Sequence, residues 1–225
     1  MKKLGLVASV VALLLGCGET GSRQDYVYDF RDGAQQWQGG FADYPSQDAP
    51  NYQLEQGIRA MPSGFVGSGY LLKGNNHSDD LFMFVQRKID GLLPNTRYEL
   101  QAAVKLASNA GTNCAGIGGA PGEAVYVKFG VHDSEPKQVG YHFNADKGEQ
   151  SQDGQAGRVI GHLGIDGLGC TGQKYATKTL AGGRTPLFVT TNSAGEVWVF
   201  VGTDSGYEGL TALYLQSIQL VFVLR

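Results

Sequence analysis

The chain has 225 residues, a mass of 24.0 kDa and a formal net charge of −3 from 18 basic and 21 acidic side chains. Hydrophobic residues make up 42% and charged residues 17%, which excludes wholesale disorder, and the lack of a basic cluster excludes a nucleic-acid-binding surface. Glycine supplies 34 residues, about twice the usual ~7%, and this favours many short strands because glycine weakens helix interiors and suits turns.

The N-terminus has the features of a bacterial export signal. Lys2 and Lys3 precede an apolar stretch over residues 4–15, which is too short to span a ~30 Å hydrocarbon core as a helix. The stretch ends in Leu14-Leu15-Gly16-Cys17, which resembles the lipobox of bacterial lipoproteins. This resemblance implies cleavage of a signal peptide over 1–16, diacylation of the Cys17 thiol and acylation, as with palmitate, of the new N-terminus.

A lipidated Cys17 predicts a protein of the bacterial cell envelope, anchored to the bilayer on its periplasmic or surface side. A polar tether over 17–23 then leads to a folded domain over 24–225. Several acyl chains hold a protein on a membrane more firmly than one, because each buried CH₂ contributes ~0.8 kcal/mol. The alternative is an ordinary secretory signal in which Cys17 is incidental.

Two further cysteines, Cys114 and Cys170, remain in the exported domain. An even pair in an oxidising compartment predicts a disulfide, and closing a loop of about 55 residues contributes roughly 4 kcal/mol in the chain-entropy treatment. Because both cysteines lie in glycine-rich segments, we expect the bond to have a structural role rather than a catalytic one.

Period-2 alternation of apolar residues predicts half-buried strands over 98–106 and 125–132. Further strands are predicted over 26–30, 69–73, 81–89, 174–180, 187–191, 197–202 and 213–224. In the last of these the apolar positions change phase near residues 216 and 217, which predicts a bulge. With no helical stripe and no second linker, the sequence predicts a monomeric, single-domain, all-β fold of the sandwich or barrel type.

Three segments resemble the galactose-binding-domain-like β-jelly rolls, which include many carbohydrate-binding modules. They are Tyr28-Asp29-Phe30 with the following Trp37, the run over 91–100, and Val197-Trp198-Val199-Phe200 with the last strand. The resemblance implies a jelly roll whose last strand lies beside the first. A structural calcium often accompanies that fold, but residues 214–218 of the last strand contain no acid, so calcium stays an open possibility.

The densest polar run precedes the strand over 81–89 and supplies amides, carboxylates and an imidazole. Its members are Asn75, Asn76, His77, Asp79 and Asp80. Such a mixture can bind sugar hydroxyls or a hard cation, and the histidine favours a site because a plain turn does not require it. The alternative is an ordinary turn, in which Asn and Asp bond their own backbone.

A second polar run includes Asn144 and Asp146, whose spacing is faintly similar to that of a calcium loop. Lys147 interrupts that spacing, so a solvated loop is the favoured interpretation. Among nearby aromatic residues we expect Trp37 to be buried and Tyr44 to be the better surface contact for a sugar ring.

The sequence has no Gly-x-Ser-x-Gly, His-Glu-x-x-His, P-loop or Cys-x-x-Cys motif. The main prediction is therefore a non-catalytic binding module, with a glycan or another envelope component as partner. One enzyme alternative remains, because the strand over 125–132 faintly resembles that of jelly-roll alginate lyases, with Lys128, His132 and Tyr126 on one face. An envelope structural or protein-interaction lipoprotein is the third possibility.

Overall fold

The computed structural model describes residues 23–225, which form a β-sandwich of two antiparallel sheets. The predicted signal peptide and Cys17 lie outside the described residues. The all-β prediction is confirmed, and the first strand begins at Arg23, one residue before the predicted domain boundary. Within residues 23–225, no helix has the length and apolar character needed to span a bilayer.

Fourteen strands, one single-turn α-helix and two short 3₁₀ turns make up this domain. In chain order they are β1 (Arg23–Asp29), a 3₁₀ turn (Phe30–Asp32), β2 (Gln38–Ala42), a 3₁₀ turn (Ser46–Asp48), α1 (Ala49–Tyr52), β3 (Glu55–Ala60), β4 (Ser68–Asn75), β5 (Phe82–Ile89), β6 (Arg97–Ser108), β7 (Val125–His132), β8 (Gln138–Val139), β9 (His142–Phe143), β10 (Gly157–His162), β11 (Ala176–Ala181), β12 (Leu187–Thr190), β13 (Val197–Ser205) and β14 (Leu210–Leu224). All nine predicted strands are present, whereas β2, β3, β8, β9 and β10 were not predicted.

The long strand β14 organises the seven-stranded sheet. One of its edges pairs with β6, and the other pairs first with β4 and then with β1, while β3 extends the sheet beyond β4. Both β11 and β12 pair with the far edge of β6. The five-stranded sheet has the order β10-β7-β13-β5-β2, and β8 and β9 form a separate small hairpin. The last strand thus lies beside the first, as the jelly-roll resemblance implies.

The predicted bulge in the last strand is confirmed. The register of β14 against β6 shifts between Leu215 and Ser217. Leu215 pairs with Tyr70 of β4, whereas Ser217 pairs with Asp29 of β1. The bulge therefore lies where β14 exchanges one neighbouring strand for the other.

The main core lies between the facing sides of the two sheets. Leu100 and Val104 of β6 face Val127 and Phe129 of β7, and each of these side chains is at most 2% exposed. The predicted half-buried alternation is confirmed for β6, whereas β7 is buried on both of its sides. Burial of the inner side of each strand removes apolar area from water, at about 25 cal/mol per Å². Trp37 is buried in the same core, as predicted.

The two outer faces of the sandwich differ. On the five-stranded sheet, Phe82, Phe84 and Phe200 form a second buried cluster with Phe143 and Ala145. The last two belong to residues 138–156, here called the covering segment, which closes over this face. The outer face of the seven-stranded sheet, here called the open face, instead presents polar side chains of β6 and β14 to solvent.

The predicted disulfide is confirmed. Cys114 and Cys170 are bonded, with their Cα atoms 5.5 Å apart and a sequence separation of 56. The bond joins the segment after β6 to the segment before β11. Two glycine-rich loops with little regular structure are thereby held together at one end of the sandwich.

Candidate functional site

The predicted polar run covers the end of β4 and the turn before β5, and its second member, Asn76, is a structural residue. Asn76 is 1% exposed, and its amide donates hydrogen bonds to the carbonyls of Ser205 and Tyr207 at 2.8 and 2.9 Å. Its Oδ1 accepts a hydrogen bond from the Ser78 backbone at 3.1 Å. With its polar atoms bonded inside the chain, Asn76 shapes the turn instead of meeting a ligand.

Other members of this run reach the surface. His77 is exposed, lies 2.9 Å through Nε2 from the Asn75 amide, and packs edge-on against the ring of Tyr52 at 5.4 Å. Asp79 is also exposed, while Tyr44 is half-buried and tilted against Tyr52 at 5.2 Å. Tyr44 and His77 therefore both pack against one buried tyrosine. His77 and Asn75 also line a shallow polar hollow.

The second predicted run closes its own loop. Asn144 accepts a hydrogen bond from the Lys137 backbone at 2.8 Å and donates one to the Glu135 carbonyl at 2.9 Å. Asp146 accepts hydrogen bonds from the backbone of Gly148 and Gln155 at 3.1 and 2.9 Å. Both side chains form hydrogen bonds with neighbouring backbone groups, which is the structural role that the solvated-loop interpretation implies.

The two predicted runs meet at a buried charge cluster. Lys147 is 5% exposed, and its Nζ lies 3.0 Å from Asp204 Oδ2, 3.2 Å from Asp43 Oδ2 and 3.9 Å from Asp80 Oδ1. Burial alone would lower the pKa of Lys147, but Asp204 and Asp43 outweigh it and raise that pKa above the usual lysine value. Lys147 is therefore a permanent cation at the centre of three carboxyl groups.

Asp80 is the one member of this cluster whose side chain reaches solvent, with 25% of it exposed. Burial raises the pKa of its carboxyl group to about 7, against the opposing effect of Lys147 and with a further rise from Asp43 and Asp204. The carboxyl group therefore gains or loses its proton near neutral pH. A carboxyl group with this property can donate a hydrogen bond at neutral pH, which an ionised aspartate cannot do.

Lys128, which the lyase alternative requires at the surface, completes the cluster from beneath. It is fully buried, with Nζ 2.9 Å from Asp204 Oδ2 and donating hydrogen bonds to the carbonyls of Lys147, Gly148 and Gln152 at 2.9–3.1 Å. Burial lowers its pKa below the usual lysine value.

The structure thus corrects the expectation of a catalytic cation. Lys128 does lie on the same side of β7 as Tyr126 and His132, but the covering segment closes over its ammonium group, so no substrate carboxylate can reach it. The two lysine ammonium groups lie among carboxylates and loop carbonyls, an environment that elsewhere suits a metal ion. Within residues 23–225, no group of three or more His, Cys, Asp or Glu side chains has a metal-binding arrangement.

A groove on the open face was not predicted. It crosses β6 and β14 and encloses a cavity of about 480 Å³. Ala103 and Val221 line it as apolar floor, and the exposed amides of Gln101 and Gln219 extend beside them. Because Gln219 pairs with the residue at 103 and Val221 with the residue at 101, the two amides lie diagonally across adjacent strands.

One wall of the groove comes from a gap in the sheet edge. Ala181 of β11 pairs with Ala103, and Leu187 of β12 pairs with Leu100, so the intervening residues 182–186, here called the groove loop, leave the edge. Gly182 has φ +92°, a conformation that favours glycine and turns the chain outward. Through this gap the groove reaches the ring of Phe129 in the core.

Glu99, the carboxylate that lines the groove, forms an ion pair with an arginine. Its Oε2 lies 2.7 Å from the guanidinium of Arg225, and its Oε1 accepts a hydrogen bond from the Gln101 amide at 3.2 Å. The hydrogen bonds from Arg225 and Gln101 lower the pKa of Glu99 below its usual range. Glu99 is thus a fixed anion that orients the Gln101 amide, leaving the Oε1 of that amide for a ligand.

The two glutamines of this groove lie in strands that the sequence predicts, although the groove itself was not predicted. Gln101 lies on the polar side of the strand predicted over 98–106, and Gln219 lies in the strand predicted over 213–224. Alternation identifies the side of each strand that avoids the core. It gives no sign of which outer face the covering segment closes and which stays open.

No protein-family model matches the chain, and no curated protein matches it. Its fold is similar to those of several carbohydrate-binding modules of β-sandwich type. A family 11 module of a Clostridium thermocellum cellulosomal cellulase has 11% identity and a TM-score of 0.41, over 90% of this chain and 95% of that one. A carbohydrate-binding module with specific mannan recognition has 13% identity and a TM-score of 0.40, over 90% and 98%.

The isomalto-dextranase of Arthrobacter globiformis, in complex with panose, has 14% identity and a TM-score of 0.38 over 87% of this chain. The chain spans 23% of the length of that enzyme. With TM-scores under 0.5, these similarities assign neither a ligand nor a site to this chain.

Proposed function

We propose that this protein is a carbohydrate-binding module that holds a glycan in the open-face groove and is anchored to the envelope membrane through Cys17. The groove carries the binding proposal, because an apolar floor lies beside the exposed amides of Gln101 and Gln219. Amides donate and accept hydrogen bonds with sugar hydroxyls, while the C–H face of a sugar ring packs on an apolar surface. That combination fits a glycan better than a wholly polar or wholly apolar ligand.

The groove supports binding without catalysis. Glycoside hydrolysis uses two carboxyl groups on either side of the scissile bond, one of them protonated. Among the residues that line the groove, Glu99 is the one carboxylate, and Arg225 holds it as an anion. The lyase alternative requires Lys128 to bind a substrate carboxylate, but Lys128 is buried beneath the covering segment.

A glycan-array screen of the full chain tests the function and its location together. The variant Gln101→Ala/Gln219→Ala removes both exposed amides of the groove, and His77→Ala/Asp79→Ala removes two exposed side chains of the predicted polar run. We expect the first pair to abolish binding and the second to leave it unchanged, with both variants melting like the parent chain.

Each alternative has a distinct result. Loss of binding only in the His77→Ala/Asp79→Ala protein would move the site to the predicted polar run. Binding to no glycan, with all proteins folded, would reject the carbohydrate function and favour an envelope structural or protein-interaction role.

Anchoring is tested separately, in bacterial cells that express the full chain. We expect mass spectrometry to find an acylated Cys17 at the mature N-terminus, and Cys17→Ser to release the protein from the membrane fraction. A mature chain that begins at another residue and carries no lipid would leave an ordinary secretory signal as the explanation.

A further inference from the structure

Arg184 in the groove loop carries a positive charge without a carboxylate partner. It is exposed and lines both the open-face groove and a second cavity, of about 340 Å³, on the other side of the loop. Its guanidinium donates a long hydrogen bond of 3.4 Å to the Ser151 carbonyl. Within residues 23–225, no carboxylate oxygen lies within 4.0 Å of it.

A second arginine supports the groove loop from beneath. Arg158 is half-buried, and its guanidinium donates hydrogen bonds to the Pro186 carbonyl at 2.9 and 3.2 Å and to the Gly157 carbonyl at 2.8 Å. No carboxylate of the described part of the chain forms an ion pair with it either. Arg158 therefore fixes the loop through neutral carbonyls and adds its own positive charge nearby.

Two carboxylates of this region, Asp153 and Glu99, are engaged with groups other than Arg184. Asp153 accepts hydrogen bonds from the Val159 backbone at 2.9 Å and the Thr185 hydroxyl at 3.0 Å, so both of its oxygens are engaged. Glu99, farther along the groove, is neutralised by Arg225. Arg184 therefore presents a guanidinium group without an ion-pair partner to solvent at the groove wall.

We propose that the groove binds an acidic glycan and that Arg184 pairs with its anionic group, most simply the carboxylate of a uronic acid. This inference rests on the carbohydrate-binding function proposed above and specifies its ligand class. A guanidinium presents parallel N–H donors that match the two oxygens of a carboxylate, and the apolar floor with its amides serves the rest of the sugar. A sulfate ester offers similar oxygens, so the experiment includes it as a separate arm.

The test compares matched oligosaccharides that differ at one carbon. Galactose and galacturonate, glucose and glucuronate, and mannose and mannuronate oligomers of equal length are titrated against the full chain by calorimetry, with sulfated galactose oligomers as the additional arm. The variant Arg184→Gln removes the charge. The control variant Arg59→Gln removes an exposed arginine of β3, which pairs with Glu55 and does not line the groove.

We expect at least one uronate oligomer to bind more tightly than its neutral counterpart. Its affinity should fall about 10- to 100-fold in Arg184→Gln, as for loss of a charge-assisted hydrogen bond, stay unchanged in Arg59→Gln, and weaken with added salt. If the chain binds the sulfated oligomers more tightly than the uronates, and Arg184→Gln removes that preference, the ligand is still acidic but its anionic group is a sulfate ester. Equal binding of neutral and uronate oligomers, retained in Arg184→Gln, would overturn the inference and leave carbohydrate binding standing. Binding of no oligomer would overturn both.

Discussion

The substitution Lys128→Met tests whether the buried charge cluster is a structural device. Methionine keeps most of the side-chain length but removes the ammonium group, which lies 2.9 Å from Asp204 Oδ2 and donates to three backbone carbonyls of the covering segment. Asp204 keeps Lys147 at 3.0 Å, but the three carbonyls lose a buried donor. The Gly148 carbonyl keeps a hydrogen bond from the Lys147 ammonium at 3.3 Å, whereas no other donor in residues 23–225 reaches the carbonyls of Lys147 and Gln152.

Breaking a buried ion pair by removing one partner costs about 3–5 kcal/mol, because the remaining charge and acceptors stay out of water. For a domain of about 200 residues, each 1 kcal/mol shifts the melting temperature by roughly 2–4 °C. We therefore expect Lys128→Met to lower the melting temperature by about 6–20 °C.

Denaturant titration under non-reducing conditions measures the free energy of unfolding directly. The matched control is Lys88→Met, which removes an exposed ammonium 3.5 Å from Glu196 and should cost about 0–1 kcal/mol. A loss in Lys128→Met no larger than that in Lys88→Met would refute the structural account of the cluster. If Lys128 were a catalytic residue rather than a structural one, its replacement would change the free energy of unfolding little.

Three further outcomes follow from the structure. Gly130→Ala should cost about 1–3 kcal/mol, because its Cβ would lie 2.1 Å from the ring of Phe200, whereas Gly169→Ala, which meets nothing within 4 Å, should cost far less in the same melting assay. The carboxyl group of Asp80 keeps its proton to about pH 7 in the folded chain but releases it near 3.8 when unfolded. Its stabilising contribution is therefore complete below about pH 4 and is lost as the pH rises through 7, so the parent chain should lose stability across that range relative to Asp80→Asn, as followed by melting from pH 4 to 8. Replacing both cysteines of the disulfide by alanine should cost roughly 4 kcal/mol in denaturant titration, and a loss under 1 kcal/mol would contradict its structural role.

The fold was largely predictable because its strands carry their burial pattern in their own residues. In β2, one of the strands that escaped prediction, glycine replaces a side chain for a tertiary reason. In β2, Cβ atoms at Gly39 and Gly40 would lie 2.5 Å from the Gln56 side chain and 2.4 Å from the Phe84 ring. These glycines make room for neighbours that are distant in sequence, whereas from the sequence alone they resemble a turn.

The candidate site was less predictable for a related reason. A sequence shows which polar groups are present but not which of them bond to backbone, so Asn76 was predicted as a ligand contact although its side chain forms hydrogen bonds within the chain. Lys128 was assigned to the correct side of its strand, but the segment that buries it arrives from residues 138–156. Gln101 was predicted on a polar face, and only the long-range packing leaves that face open.

The charge cluster and the groove are joined through one stretch of backbone. The ammonium of Lys128 donates a hydrogen bond to the carbonyl of Gln152. On either side of Gln152, the Ser151 carbonyl accepts a hydrogen bond from the Arg184 guanidinium, and the Asp153 carboxylate accepts one from the Thr185 hydroxyl. The segment that covers one sheet therefore also positions the loop that walls the groove on the other. If the groove binds the proposed acidic glycan, the buried lysine supports that binding without touching the ligand, because it fixes the backbone that contacts the Arg184 guanidinium.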